Sequence, residues 1–162
     1  VAGFEEAMSR LQARLTGAAA ADAEGPRADG GWSAAQIAWH VAAVNESFAS
    51  LIDGRRPVAQ PAPEGFVERT WEEIAASLAD RLQAPSRVQP AGPVTRDEAA
   101  AKLSASREAL LTAVRGLAPE RGVLMLDAPV VGRVTLYQVG EWAIAHVIRH
   151  NRQMKDVLAA RG

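Results

Sequence analysis

The sequence contains no cysteine, and its aromatic fraction is only 5%. Without cysteine the chain cannot form a disulfide, offer a thiolate to a metal or use a cysteine nucleophile. Histidine is also scarce, with three residues in 162. We therefore expect any metal bound by this chain to be held by nitrogen and oxygen atoms.

An excess of charge of one sign is lacking too. Lys and Arg number 18, Asp and Glu number 19, and the formal net charge is -1. No basic tract stands out, so we expect no nucleic-acid partner. No apolar run is long enough to cross a bilayer and no signal peptide stands out, so we expect no membrane partner and a cytoplasmic location.

The composition does support a folded core. Hydrophobic residues make up 48% of the chain, and 162 residues is the size of one ordinary domain. Apolar residues recur at helical spacing in four stretches, near residues 2–21, 33–54, 96–115 and 135–160. The sequence therefore predicts a single all-α domain over residues 1–162.

Capping boxes mark the starts of the second and fourth predicted helices, at Ser33-x-x-Gln36 and Thr135-x-x-Gln138. Residues 54–95, between the second and third helices, contain six prolines and one short amphipathic segment, 70–82, with its own box at Thr70. Such a long crossover is typical of a bundle in which two successive helices run parallel. Residues 117–134 form a second linker in which a short extended excursion is conceivable.

All three histidines lie on apolar faces of the predicted helices. His146 and His150 are four residues apart, which puts them on the same face, and His40 lies on the second helix. The bundle predicts that the second and fourth helices are antiparallel, so that His40 can lie level with the pair. Three clustered imidazoles without partners would be costly to bury, and one divalent cation would bind them all. The alternative is that each is a hydrogen-bonded core residue.

Three nitrogen ligands would leave a fourth position open, as in catalytic zinc sites. That position could hold water with a lowered pKa, or a thiolate substrate. Val147 stands where an H-E-x-x-H metalloprotease carries its glutamate base, so we expect no peptide hydrolysis by that route.

The chain resembles the DinB/YfiT-like (damage-inducible) metalloenzyme superfamily. The resemblance rests on Gly31-Trp32-Ser33-x-x-Gln36-Ile37-x-x-His40 and, far downstream, Glu141-Trp142-x-x-x-His146-x-x-Arg149-His150-x-x-Gln153. It implies a four-helix bundle with a long crossover between helices two and three, usually as a homodimer. It also implies that His40, His146 and His150 bind a divalent metal, zinc or nickel above all. Characterised relatives are transferases or isomerases that depend on a low-molecular-weight thiol.

These observations predict a metal-dependent enzyme, either a thiol-dependent transferase or isomerase or a hydrolase, acting on a small molecule. The alternatives are a non-catalytic ligand-binding or stress-response bundle, and a plain helical dimerisation module with core histidines. Gln153 and Arg149 are candidates for supporting a histidine or contacting substrate. Weaker candidates for a hydrogen bond to a metal-binding histidine are Asn45, Glu46 and Glu141, although the last two are expected to face solvent. The aromatic side chains of Trp39, Trp142 and Tyr137 are expected to pack within the bundle.

Overall fold

The computed structural model describes residues 1–77, 83–129 and 131–161. Four long helices account for most of these residues, and the shorter elements lie between them. In chain order the elements are α1 (Ala2–Gly17), α2 (Ala20–Glu24), α3 (Ala34–Ile52), α4 (Trp71–Ser77), a 3-10 turn (Ser86–Val88), α5 (Arg96–Arg115), α6 (Pro119–Gly122), β1 (Met125–Ala128), β2 (Gly132–Thr135) and α7 (Leu136–Ala159).

The long helices pack as a four-helix bundle in which α3 lies between α5 and α7, and α1 contacts α5 and α7 from the other side. Residues near the start of α3 contact residues near the start of α5, and later residues of α3 contact later residues of α5. Gln36 near the start of α3 bonds to the carbonyl of Gly92, just before α5, and Glu46 further along pairs with Lys102. The predicted parallel pairing of the second and third long helices is therefore confirmed.

The pairing of α3 with α7 has the opposite sense. His40 contacts His146 of α7, whereas Phe48, two turns later in α3, packs against the earlier residue Trp142 with ring centroids 4.8 Å apart. The two helices are antiparallel, as the sequence predicts. This arrangement brings His40 level with the histidine pair of α7.

The first helix differs from its predicted span of 2–21. It ends at Gly17, Ala18 is extended, and a separate short helix starts at Ala20. Glycine is a poor helix former because it loses the most backbone freedom on folding. The break also exposes the Ala18 carbonyl, which accepts a 3.0 Å hydrogen bond from the guanidinium of Arg96.

The second linker forms a two-stranded antiparallel hairpin, whereas the sequence suggested no more than an extended excursion. β1 pairs with β2 from Met125 opposite Thr135 to Ala128 opposite Gly132, which has a positive φ of 74°. Val130, part of that predicted excursion, lies outside the described residues. Gln60 of the crossover exchanges two 2.8 Å backbone hydrogen bonds with Met125, so the crossover runs along the hairpin.

The crossover is tied down further by side chains. Arg69 donates to the carbonyl oxygens of Val131 and Glu73 and to Ser77 Oγ, and its own carbonyl accepts from Gln138 Nε2 at 2.7 Å. The Thr70 capping box is present and starts α4. The last five residues of the predicted segment 70–82 lie outside the described residues.

One buried apolar cluster contains side chains from all four long helices. One of the buried polar residues is Asn45, whose amide nitrogen lies 3.5 Å from both Met8 Sδ and Ser106 Oγ. Within α5, Ser106 is buried and Ser104 is exposed. None of the helices that the structure describes is long and apolar enough to cross a membrane.

Candidate metal centre

The three histidines of the chain meet at one point between α3 and α7. One nitrogen atom from each of His40, His146 and His150 lies within 4.8 Å of the other two. The ring centroids are 4.4 to 5.1 Å apart, and the Nε2 atoms of His40 and His146 are separated by 3.2 Å. The prediction that the fold gathers these residues is correct.

His40 is the least exposed of the three, with 3% of its surface accessible to solvent. It lies two turns after the Ser33 capping box, in the middle of the inner face of α3. Its Nδ1 is 2.7 Å from the backbone oxygen of Val88, which can only accept a hydrogen bond. The proton of neutral His40 is therefore on Nδ1, and the Nε2 lone pair points toward the other histidines. Trp32 packs on the ring with centroids 4.9 Å apart.

His150 is oriented in the same way by a side chain. Its Nδ1 donates to Gln153 Oε1 at 2.7 Å, across one turn of α7. Its Nε2 is therefore the nitrogen with the available lone pair. Both His40 and His150 consequently have the hydrogen-bonding arrangement that metal-binding histidines show in proteins, with the outer nitrogen held by an oxygen acceptor.

His146 is different from its two neighbours. Its Nδ1 is buried and makes no hydrogen bond to the residues that the structure describes. Its Nε2 faces His40 Nε2 and, in the absence of a metal, can donate one hydrogen bond to that atom. Phe48 lies beyond the ring, at a centroid distance of 6.5 Å.

The surroundings keep all three imidazoles neutral. Burial is the largest cause of a lowered pKa at each of them, and the positive charge of Arg149 lowers each pKa further. Burial, the other two histidines and Arg149 together hold the pKa of His146 well below its usual value, and the pKa of His150 falls from 6.5 to about 3. At neutral pH each ring therefore offers a lone pair, the form that binds metal.

The residues fit a divalent metal ion. Ligand nitrogens at about 2.0–2.1 Å in a tetrahedral zinc site lie about 3.3 Å from one another. The 3.2 Å between the Nε2 atoms of His40 and His146 matches this edge. Two ligands already have outer acceptors, and the donor set of three neutral imidazoles suits zinc, nickel, copper or iron.

The family model of the DinB superfamily matches residues 4–154. The chain belongs to the DinB superfamily. The match covers all four long helices almost completely and includes the three histidines. Neither a curated protein nor a solved structure gives a significant match. For this DinB protein, the details of the site therefore come from its own geometry.

The other residues named from the sequence have varied positions in the DinB bundle. Gln153 supports His150, and Arg149 is close enough to affect all three histidines electrostatically. Glu141 is exposed, as expected. Glu46 does not simply face solvent, since it forms an ion pair with Lys102 at 2.9 Å. Asn45 contacts Met8 of α1 and Ser106 of α5 and does not hydrogen-bond to any of the three histidines.

The aromatic candidates are mostly packing residues, as predicted. Trp142 packs against Phe48, and Lys102 Nζ lies 5.2 Å from the ring centroid of Trp39. Tyr137 is 44% exposed and covers Gly122, where an added Cβ would meet its ring.

Two groups at the site could not be found from residue types in the sequence. The Val88 acceptor is a backbone carbonyl, which every residue has. Trp32 had a detectable position just before the helix cap, but that position indicates packing on the first turn of the helix rather than on a histidine.

Two surface clefts lie elsewhere in the bundle. One, of about 420 Å³, is lined by residues at the ends of α3 and α5, and the other, of about 440 Å³, lies beside α1 and α2. Neither is lined by a histidine. The side-chain chemistry of the three histidines, and not these two clefts, therefore identifies the candidate metal centre.

Proposed function

We propose that this DinB protein binds one divalent metal ion through His40, His146 and His150, and that the metal centre serves an enzyme acting on a small molecule. The observation that supports this most directly is the convergence of three neutral imidazoles, two of which have their Nδ1 protons held by Val88 and Gln153. Zinc and nickel are the metals that we propose.

A metal with three protein ligands supplies Lewis acidity at its open position, where it lowers the pKa of a water or thiol. The chain's own contribution is to hold the three ligands and to set the charge around them. His146 and His150 of α7 are partly exposed, whereas His40 of α3 is buried, so a ligand would approach from the side of α7. The positive charge of Arg149 lowers the pKa of all three histidines, and a positive charge near the site favours an anionic ligand.

We infer that this ligand is a low-molecular-weight thiol, bound as the thiolate, and that the reaction is a thiol-dependent transfer or isomerisation. Neutral ligands leave the full charge of the metal to be balanced, which favours an anion at the open position. Hydrolysis is the second candidate reaction. For either reaction, no carboxylate among the described residues belongs to the histidine group, so we assign no general base from this chain.

The test is metal analysis of protein purified without a histidine tag. We expect about one divalent ion per chain, and a loss of most of that metal in His146→Ala. Arg152→Ala, at an exposed position of the same helix, is the control and should retain the metal. A metal-free wild type, or undiminished metal in folded His146→Ala, would refute the proposal.

The lack of a described carboxylate base also favours a second candidate, a bundle that binds a ligand at the metal without turnover. The two candidates differ in a thiol–electrophile panel. Metal-loaded protein that consumes a thiol and an electrophile supports the enzyme. Tight thiol binding, seen as a raised melting temperature without product, supports the binding protein.

A further inference from the structure

The second part of the crossover lies directly against the candidate metal centre. Residues 84–92, which we call the clamp, contact α3 at two points. The carbonyl of Val88 accepts a hydrogen bond from His40 Nδ1 at 2.7 Å, and the carbonyl of Gly92 accepts one from Gln36 Nε2 at 2.9 Å. The clamp therefore spans the first two turns of α3, from its capping box to its histidine.

The position of the Val88 carbonyl is fixed by the clamp itself. The 3-10 turn is closed by hydrogen bonds from the Val88 amide to Pro85 O at 3.0 Å and from the Gln89 amide to Ser86 O at 3.1 Å. The Val88 side chain is only 5% exposed and belongs to the bundle core. One residue therefore anchors the clamp with its side chain and orients His40 with its carbonyl.

This contact determines which nitrogen of His40 is available. An imidazole that binds a metal through Nε2 must carry its proton on Nδ1. A carbonyl oxygen can accept a hydrogen bond but cannot donate one. The docked clamp therefore stabilises the tautomer that has its proton on Nδ1 and a lone pair on Nε2. When the clamp is undocked, the ring can rotate and can exchange tautomers.

We propose that the clamp positions His40 for metal binding, and that metal binding and clamp docking stabilise each other. The proposal rests on the proposed metal site. Coupling between two such events is reciprocal by thermodynamic linkage, so each must strengthen the other by the same factor. The crossover then orients a metal ligand, in addition to connecting two parallel helices.

The first test is hydrogen exchange of the full chain, with zinc and with a chelator. Zinc should slow exchange of the Val88 and Gln89 amides by at least about fivefold, the lower end of common coupling strengths. Exchange in the hairpin β1–β2 is the internal reference and should change less. Equal exchange of the Val88 and Gln89 amides in the two samples would overturn the coupling.

The second test replaces the anchor while keeping the carbonyl. Val88→Ala should weaken zinc binding by roughly tenfold, the lower end of the effect of losing a hydrogen-bond acceptor behind a metal-binding histidine. Val88→Ile, which keeps an apolar side chain, should restore most of the affinity. Two controls separate this effect from others: Val58→Ala, at an exposed position of the same crossover, and Val134→Ala, at a fully buried position in the hairpin.

The outcomes distinguish the clamp from the metal site. Weaker zinc binding in Val88→Ala, with near wild-type affinity in folded Val134→Ala, supports the clamp. Equal losses in the two variants would show general destabilisation and overturn it. Failure of the wild type to bind zinc or nickel overturns the proposed function itself, whereas normal binding without any change at the clamp overturns only this inference.

Discussion

At the scale of single residues, the three histidines differ in what holds their second nitrogen. His40 uses a backbone carbonyl, His150 uses the side chain of Gln153, and His146 has no acceptor among the described residues. Only the support of His150 can be removed by a direct side-chain substitution. This makes Gln153 the most accessible probe of how ligand orientation affects metal binding.

Gln153→Leu should lower zinc affinity by about 10–100-fold, because the Nδ1 proton of His150 loses its acceptor. Gln153→Glu keeps an acceptor at this position and should bind zinc at least as tightly as the wild type. Competition with a chromophoric chelator measures both. Gln60→Leu, an exposed change in the crossover, is the matched control, and equal affinities in Gln153→Leu and Gln60→Leu would contradict the role of Gln153.

Metal-free protein should lose stability as the pH falls below about 6.5, the pKa of histidine in an unfolded chain. Folding lowers the pKa of His150 to about 3, so between these values the unfolded state binds more protons than the folded state. Stability therefore increases with pH across this window, and the contribution is complete above it. Thermal melts in chelator from pH 7.5 to 5 test this.

His150→Gln, which removes one titrating ring, should show a shallower dependence on pH in the same melts. A midpoint that is independent of pH in the wild type would contradict the burial of neutral imidazoles. So would parallel curves for the wild type and the variant.

The histidines and Gln153 could be predicted because helical spacing fixes which side chains share a face. His146, His150 and Gln153 lie on one helix, so their relation is local. His40 required the further prediction that α3 and α7 are antiparallel. The Val88 acceptor could not be predicted, since it depends on where a proline-rich segment docks.

At the scale of helices and strands, the starts of helices were the most predictable features. Capping boxes at Ser33, Thr70 and Thr135 are present as hydrogen-bonded pairs, because the residues involved are only three apart in sequence. The end of α1 was predicted wrongly, since alanine-rich sequence continues past Gly17. The hairpin was not predicted as strands because its pairs join residues four to ten positions apart, beyond the reach of a capping box.

Ser33→Ala should lower the free energy of unfolding by about 0.5–2 kcal/mol, the usual cost of losing a helix N-cap. The Ser33 hydroxyl accepts from the Gln36 amide at 3.1 Å, at the end of α3 that leads to His40. Urea denaturation of metal-free protein measures the change. Ser104→Ala, an exposed substitution inside α5, should have almost no effect, and an equal loss in both would argue against the cap.

At the scale of the whole molecule, the bundle implied by the resemblance is confirmed, and the length of the crossover correctly predicted its parallel pair of helices. The path of the crossover was not predicted, because it depends on bonds between residues far apart in sequence. Arg69 takes part in two of these bonds, one from its guanidinium to the Val131 carbonyl and one from Gln138 Nε2 to its own carbonyl. The dimer implied by the resemblance stays a prediction.

Arg69→Ala should lower the free energy of unfolding by about 1.5–3 kcal/mol, the range for hydrogen bonds that involve a charged group. The loss should be accompanied by faster proteolysis within the crossover, because the guanidinium links that segment to the hairpin. Denaturant melts and limited trypsin digestion measure the two effects. Arg152→Ala, which removes an exposed arginine from α7, is the control, and similar behaviour of the two variants would contradict the role of Arg69.

The distance in sequence between His40 and His146 has a further consequence for a chain without cysteine. A metal shared by these residues would close a loop of 106 residues. In the chain-entropy model, a covalent cross-link that closes a loop of that length raises the free energy of unfolding by about 4.7 kcal/mol, because it restricts the unfolded chain. The ion would thus perform the task of a disulfide, in a form that a chelator can reverse without any change of redox state.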